Sequence, residues 1–283
     1  MKDIVIGSIT NYEYPQIKHW VNSLDRSGFS GDKFMLCYNI SYSTANELRS
    51  RGYHLITFDQ NDEAQRYEYK KQNFCIMLER FVHMWYFLRS KKGQYRYLIT
   101  TDVKDVVFQK NPSEWLERNL VGGKKINASC ESIRYKDEWW GNNNLMQSFG
   151  PLVHEANKDN LIYNAGVQSG DFDTMIDLFF AIAVSCGGSP AFVPGGGGPD
   201  QAAYNILLNL SPYRDITRFS WSEDGWAAQL GTSKVDRFKD LIVEPQPILL
   251  NEEVCTSKGD PFYVVHQYDR IPEWKDILER KYS

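Results

Sequence analysis

The chain has 283 residues, 42% of them hydrophobic and 24% charged. That excludes a disordered or collagen-like polymer and leaves enough chain to bury a substantial core. With 32 basic against 36 acidic residues the net charge is −4, so no global positive field is present to hold nucleic acid or an anionic membrane. Any polyanion must be met locally or through a metal.

The start, Met1-Lys2-Asp3-Ile4, has no long apolar run of the signal-peptide kind, and the longest apolar stretch, Leu178 to Val184, is far below the roughly 18 residues of a membrane span. A soluble, cytoplasmic protein is expected. Five widely spaced cysteines, with no Cys-x-x-Cys, point to buried free thiols in a reducing compartment. Without a secretion signal, the sequons at Asn39, Asn127 and Asn209 are read as chance.

In chain order, Ile4 to Ile9 is a β-branched run and predicts a buried strand. Ile17, Trp20, Val21 and Leu24 recur at helical spacing, between Pro15 and Gly28. A strand is expected over Lys33 to Tyr38. A short helix capped by Ser43 or Thr44 follows to Arg51, then a strand over Tyr53 to Phe58. Phe74, Met77, Leu78, Phe81, Val82, Trp85 and Leu88 give a long helix one apolar face, and Tyr95 to Thr100 is a further strand. This alternation implies α/β architecture with a mostly parallel, Rossmann-like sheet flanked by helices. Beyond it, Trp139 to Asn144 reads as a loop, Leu161 to Val167 as a strand and Asp171 to Ser185 as a helix. A helix is expected over Asp200 to Leu210, a strand over Phe262 to His266 and a terminal helix over Pro272 to Tyr282. No linker or repeat divides the chain. One domain is expected over residues 1–283, a nucleotide-binding half (1–110) running into an acceptor-binding half (111–283).

The most informative stretch is Tyr95-Arg96-Tyr97-Leu98-Ile99-Thr100-Thr101-Asp102-Val103-Lys104-Asp105-Val106-Val107-Phe108. A hydrophobic strand ends in two carboxylates three positions apart, where ligands of open α/β sheets bind. Like charges so close repel, and a divalent cation removes that cost. A helix cap by Asp102 and a solvated turn is the plainer reading of the pattern alone.

This stretch resembles the Asp-x-Asp region of GT-A glycosyltransferases, with the wider spacing Asp-x-x-Asp. Three further pieces follow in that family's order: Asn164-Ala165-Gly166-Val167 with Gly170-Asp171, then Pro199-Asp200-Gln201 with Asn205, then Val264-Val265-His266-Gln267. The spacing is most similar to glycogenin-like transferases and the small soluble transferases of large algal viruses. The resemblance implies a GT-A fold and transfer of a sugar from a nucleoside-diphosphate sugar, with UDP the usual nucleotide, to a hydroxyl of a glycan or glycoconjugate.

It also implies roles. Asp105 and His266 become ligands of Mn²⁺, or of Mg²⁺, with Asp102 a ligand directly or acting through water or ribose; a core hydrogen bond is the plainer reading of His266 in its apolar strand. Thr10 and Tyr12, after the first strand, hold base and ribose. Asn164 and Gly166 lie near the donor sugar. Arg80, beside an apolar helix face, needs a partner: the diphosphate or base is one, and a plain salt bridge is an equal alternative. Lys104 is a second phosphate candidate. Asp200 is placed nearest the acceptor hydroxyl, as its base if the reaction inverts, the course favoured here, or as a positioning or stabilising group if it retains; a helix N-cap is the plainer reading of an Asp before an apolar helix. Asp171, Glu223 and Asp224 stand in reserve. The glycines at 195–198 remove side chains and give mobility suited to closing over a donor. Trp139, Trp140, Trp221 and Trp226 can stack on an acceptor sugar or pack against the sheet.

Two other classes compete. A nucleotidyltransferase or phosphohydrolase also uses carboxylates and a cation, but brings a basic glycine-rich loop or more acidic clusters, neither of which is present. A non-catalytic sugar-binding module predicts sugar binding without nucleotide or metal.

Overall fold

A computed structural model describes residues 1–58, 75–190, 193 and 196–283. Three parallel strands open the chain: β1 (Lys2–Thr10), β2 (Asp32–Tyr38) and β3 (Tyr53–Phe58). The helices between them are α1 (Tyr14–Arg26) and α2 (Tyr42–Ser50). In α1 the 3–4 spacing of Ile17, Trp20, Val21 and Leu24 puts all four on one fully buried face. Such burial contributes about 1.5–3 kcal/mol for each large aliphatic or aromatic side chain. The cap of α2 is Ser41, not Ser43 or Thr44: its hydroxyl accepts from the Thr44 amide at 3.1 Å.

After α3 (Ile76–Leu88) the chain forms β4 (Tyr95–Thr101), β5 (Val106–Phe108) and α4 (Pro112–Asn119). Phe74, expected at the start of the long helix, lies outside the described residues. Next come β6 (Ile126–Arg134), α5 (Trp139–Asn157), β7 (Leu161–Asp171), α6 (Phe172–Ser185) and α7 (Asp200–Leu208). The remainder is α8 (Tyr213–Ile216), β8 (Thr217–Ser220), β9 (Ala227–Gln229), β10 (Ile248–Leu250), β11 (Glu253–Cys255), β12 (Val264–His266) and α9 (Pro272–Lys281).

Seven strands make the central sheet in the order β3-β2-β1-β4-β7-β6-β8. All neighbours are parallel except at β7, which runs antiparallel to β4 and β6. A second sheet, β5-β12-β9, pairs strands from both halves of the sequence. The expected α/β architecture, a mostly parallel sheet flanked by helices in one compact domain, is what the structure has. Apolar clusters lie on both faces of the large sheet: Phe81 and Met84 of α3 with Phe179 of α6 on one, Trp20 of α1 with Phe108 and Trp115 on the other. All five cysteines are buried and unpaired.

Two segments depart from the sequence reading. Trp139 to Asn144 is the first part of α5, not a loop. The Glu138 carboxylate accepts from the amides of Trp140 and Gly141, a cap that offsets the poor helix propensity of the Asn and Gly residues. A break at Gly150, φ +78°, divides this long helix. No element was expected over 126–134, which is β6. Its polar residues Asn127, Ser129 and Glu131 are buried as fully as their apolar neighbours, so neither side of the strand reads as a water-facing stripe.

Candidate functional site

The polypeptide leaves β4 at Thr101, and Asp102 to Asp105 form a tight turn before β5. The turn is pinned to the second half of the chain: the Asp102 amide donates to Gly166 O at 2.7 Å, and the Gln267 amide donates to Asp105 O at 2.8 Å. His266 ends β12, and antiparallel pairing with β5 sets it opposite Val106. The three side chains Asp102, Asp105 and His266 therefore converge. His266 Nε2 stands 3.6 Å from an Asp102 oxygen and 3.8 Å from an Asp105 oxygen. Asp102 is not a helix cap.

The imidazole is fixed from behind. Gln229, at the end of β9, has its Oε1 2.7 Å from His266 Nδ1. An amide oxygen only accepts, so Nδ1 carries a proton and Nε2 is turned toward the carboxylates. Nε2 is buried and has no hydrogen-bond partner among the described residues. One nitrogen and two carboxylates, each offering an atom within 4.8 Å of the others, suit a divalent cation with a borderline preference for N and O ligands. Gln229 is the outer partner that such a ligand histidine needs.

The electrostatics follow from crowding two carboxylates against one imidazole. Burial pushes the Asp105 carboxyl above the usual range, and repulsion by Asp102 adds to this. Burial disfavours the His266 cation, but Asp105 and Asp102 outweigh it and raise the histidine. Burial also acts to raise Asp102, yet Arg80 and His266 hold it well below the ordinary carboxylate range.

Arg80 is the second organising charge. It projects from α3 and is buried, with Nη1 donating to Asp102 at 2.5 Å and Nη2 to Asp200 at 3.3 Å and to Ala165 O at 3.4 Å. Asp200 opens α7 but makes no cap contact; its Oδ2 answers Arg80. Its carboxyl is raised by burial, with Arg80 opposing.

Asn164 and Gly166 sit on β7 beside this pair. The Asn164 side chain accepts from the Gly166 amide at 2.6 Å and donates to Glu131 at 2.7 Å. Gly166 is required by space: a Cβ there would stand 2.6 Å from His266 Cε1 and 2.7 Å from an Asp102 oxygen. Glycine lets the acidic turn and the histidine meet across β7.

Two adjoining cavities share Met77, Arg80, Asp102 and Arg270 in their walls. The outer one, about 300 Å³, is bounded by Thr10 and Tyr12 at the end of β1 and by Lys104 and Asp105. The inner one, about 480 Å³, is bounded by Asn164, Gly166, Asp200, His266 and Glu131. Every principal site residue expected from the sequence thus borders one cavity or the other. The reserve carboxylates do not. Asp171 caps α6 by accepting from Thr174, Glu223 accepts from the Ser257 amide, and Asp224 binds Trp221 and Arg218. Of the four tryptophans only Trp140 reaches the inner cavity, where its indole donates to Gly196 O at 3.2 Å. Trp226 is buried against Trp115, while Trp139 and Trp221 are exposed elsewhere. Gly196 to Gly198 form one wall of the inner cavity; Gly195 lies outside the described residues.

Sequence reasoning missed Glu131, Gln229 and Arg270. Glu131 was hidden in an unrecognised strand, and Gln229 acts only through His266. Arg270, four residues past His266, carried a signal in its charge. Comparison of the sequence with protein-family models and with curated proteins gives no match. No helix among the described residues is long and apolar enough to cross a membrane.

Proposed function

We propose that the chain is a GT-A type glycosyltransferase that moves a sugar from a nucleoside-diphosphate sugar, a UDP-sugar, to a hydroxyl of a glycan or glycoconjugate. The observation that carries this reading is the position of the Asp102–Asp105–His266 cluster at the junction of two cavities. A donor with a base at one end and a sugar at the other has its diphosphate in the middle, and there its charge meets a cation and two guanidinium groups.

Asp102, Asp105 and His266 would hold a divalent cation, Mn²⁺ by the mixed nitrogen and oxygen set, which when bound would supply Lewis-acid neutralisation of charge on the departing diphosphate. The chain does the rest. Thr10 and Tyr12 bound the space for base and ribose. Tyr12 stays a neutral phenol, raised by burial and by Asp105 and Asp102. Arg270, exposed and bordering both cavities, stands where diphosphate oxygens pass. Its pairing with Asp269, at 3.7 Å, is loose enough to exchange for phosphate. Arg80, fixed by Asp102 and Asp200, presents positive charge without mobility. Asn164, Gly166 and the glycines 196–198 shape the space for the sugar.

The test is release of UDP from UDP-glucose, UDP-galactose and UDP-N-acetylglucosamine in Mn²⁺, with water as acceptor. Release from at least one donor, abolished by chelation and by His266→Ala, is expected. Binding of free sugars with no nucleotide or metal dependence would instead favour a sugar-binding module.

A further inference from the structure

Glu131 is the carboxylate of the inner cavity that the reading above leaves without a task. It stands on β6, 9% exposed. Oε1 accepts from Asn164 Nδ2 at 2.7 Å and from Gln201 Nε2 at 3.3 Å. Oε2 accepts no hydrogen bond among the described residues. Both amides are fixed in turn: Asn164 by the Gly166 amide, and Gln201 by the Ala165 amide at 3.3 Å. The carboxylate is therefore held at one oxygen, with the other left to act. Its wall also borders a pocket of about 10 Å³, the room of a single water, ringed by Ser132, Ser222, Thr232 and Ser233.

Asp200 differs in the respect that matters for a base. A guanidinium holds one of its oxygens. Burial raises the Asp200 carboxyl, but the neighbouring cation opposes that rise by stabilising the ionised form. The groups holding Glu131 are neutral amides.

We propose that Glu131, not Asp200, accepts the proton of the attacking hydroxyl. The proposal rests on the transferase reading. As the hydroxyl oxygen bonds to C1 of the donor sugar, its proton passes to Glu131 Oε2. The bond from C1 to the diphosphate oxygen breaks, and its electron pair leaves with the nucleoside diphosphate. Asp200 positions Arg80. Burial supports the assignment by raising the Glu131 carboxyl to about 7, with the hydrogen bond from Asn164 opposing, where a base works best at neutral pH. The titratable groups acting on it are Glu138 at the start of α5, which raises it, and His266 of β12, which lowers it. Tyr135 and Cys130, on its own segment, are neutral, raised chiefly by burial and further by Glu131.

The experiment compares wild type, Glu131→Gln, Glu131→Asp and Asp200→Asn. It reads kcat and KM for UDP release from UDP-glucose, UDP-galactose and UDP-N-acetylglucosamine in Mn²⁺ between pH 5.5 and 9. A parallel thermal-shift series uses UDP with Mn²⁺, and an infrared titration reads the carboxyl band lost in Glu131→Gln. The expected wild-type kcat falls as pH drops below about 7. Glu131→Gln loses about 10²–10⁴-fold in kcat, loses that acid limb, and keeps KM and the UDP–Mn²⁺ shift. Glu131→Asp, which keeps a carboxyl, retains the limb at reduced kcat; Asp200→Asn retains it as well. A kcat within fivefold of wild type in Glu131→Gln overturns the proposal. So does a change confined to KM, or a limb that disappears in Asp200→Asn. Should no donor be cleaved or Glu131→Gln not fold, the infrared series on wild type and Glu131→Asp still decides: a carboxyl with no titration between pH 6 and 8 overturns it. Failure of the parent reading is distinct: wild type then shows no metal-linked UDP shift at all.

Discussion

Asp102 and Asp105 close a turn that solvent reaches, their side chains 39% and 19% exposed, whereas the Asp200 side chain keeps 7% and Glu131 is similarly enclosed. The open pair meets a guanidinium through Asp102 alone, and it faces an imidazole whose Nε2 has no hydrogen-bond partner among the described residues. The enclosed pair is met from within, Asp200 by Arg80 and Glu131 by two amides. The difference separates the two tasks of the cleft. On the proposed reading, the carboxylates that would hold a cation lie at a junction a ligand can enter, while Glu131 as base and Asp200 as the anchor of Arg80 are set among fixed partners.

The sharpest way to break this contrast is to remove the internal counter-charge. Arg80→Met leaves both Asp200 and Asp102 without their shared guanidinium, and a loss of about 3–5 kcal/mol is expected in urea unfolding. A loss below 1 kcal/mol would show that Asp200 is not held by the guanidinium. The next effect has the opposite sign. A carboxyl raised from 4.5 to about 7 on folding keeps its proton in the folded state while the unfolded chain has lost it. Glu131 therefore costs stability as pH rises from about 4.5 through 7. Above that window Glu131→Gln is expected to be more stable than wild type by about 3 kcal/mol, the gain vanishing by pH 4.5. Unfolding midpoints at pH 4.5 and 8 check it.

Two smaller changes address the open pair. Gly166→Ala sets a methyl group against His266 and Asp102. It is expected to cost about 1–3 kcal/mol in thermal unfolding and to weaken Mn²⁺ binding as well. Gln229→Ala frees the ring of His266. Mn²⁺ affinity by calorimetry is expected to fall about 10–100-fold with little change in folding stability. Equal Mn²⁺ affinity in Gln229→Ala and wild type would remove the oriented imidazole from the account.

The parts of this molecule that were legible in the sequence are those where a local pattern carries the physics. Ile17, Trp20, Val21 and Leu24 announce a buried helix face, and the apolar strand running into Asp102 and Asp105 announces a site at a strand end. Pairings between distant segments were not legible. Nothing local to His266 says that Gln229 orders its ring, since β9 and β12 meet only through parallel pairing. Glu131 escaped because β6 is buried on both sides with polar residues inside, satisfied by partners from β7, β8 and β9. The start of α5 was misread for a similar reason. Its helix rests on one capping carboxylate, Glu138, rather than on the propensity of Gly141, Asn142, Asn143 and Asn144.

The central claim is that the Asp102–Asp105–His266 cluster binds a divalent cation together with a nucleoside diphosphate. Thermal unfolding with UDP, GDP, ADP and CMP, each with and without Mn²⁺, tests it most directly beside Asp105→Ala. Ligand at 100 times its Kd stabilises the folded state by about 2.7 kcal/mol, a readily measured rise in Tm. The account predicts a rise with UDP that requires both Mn²⁺ and Asp105. A rise of equal size without metal, or none with any of the nucleotides, would contradict it.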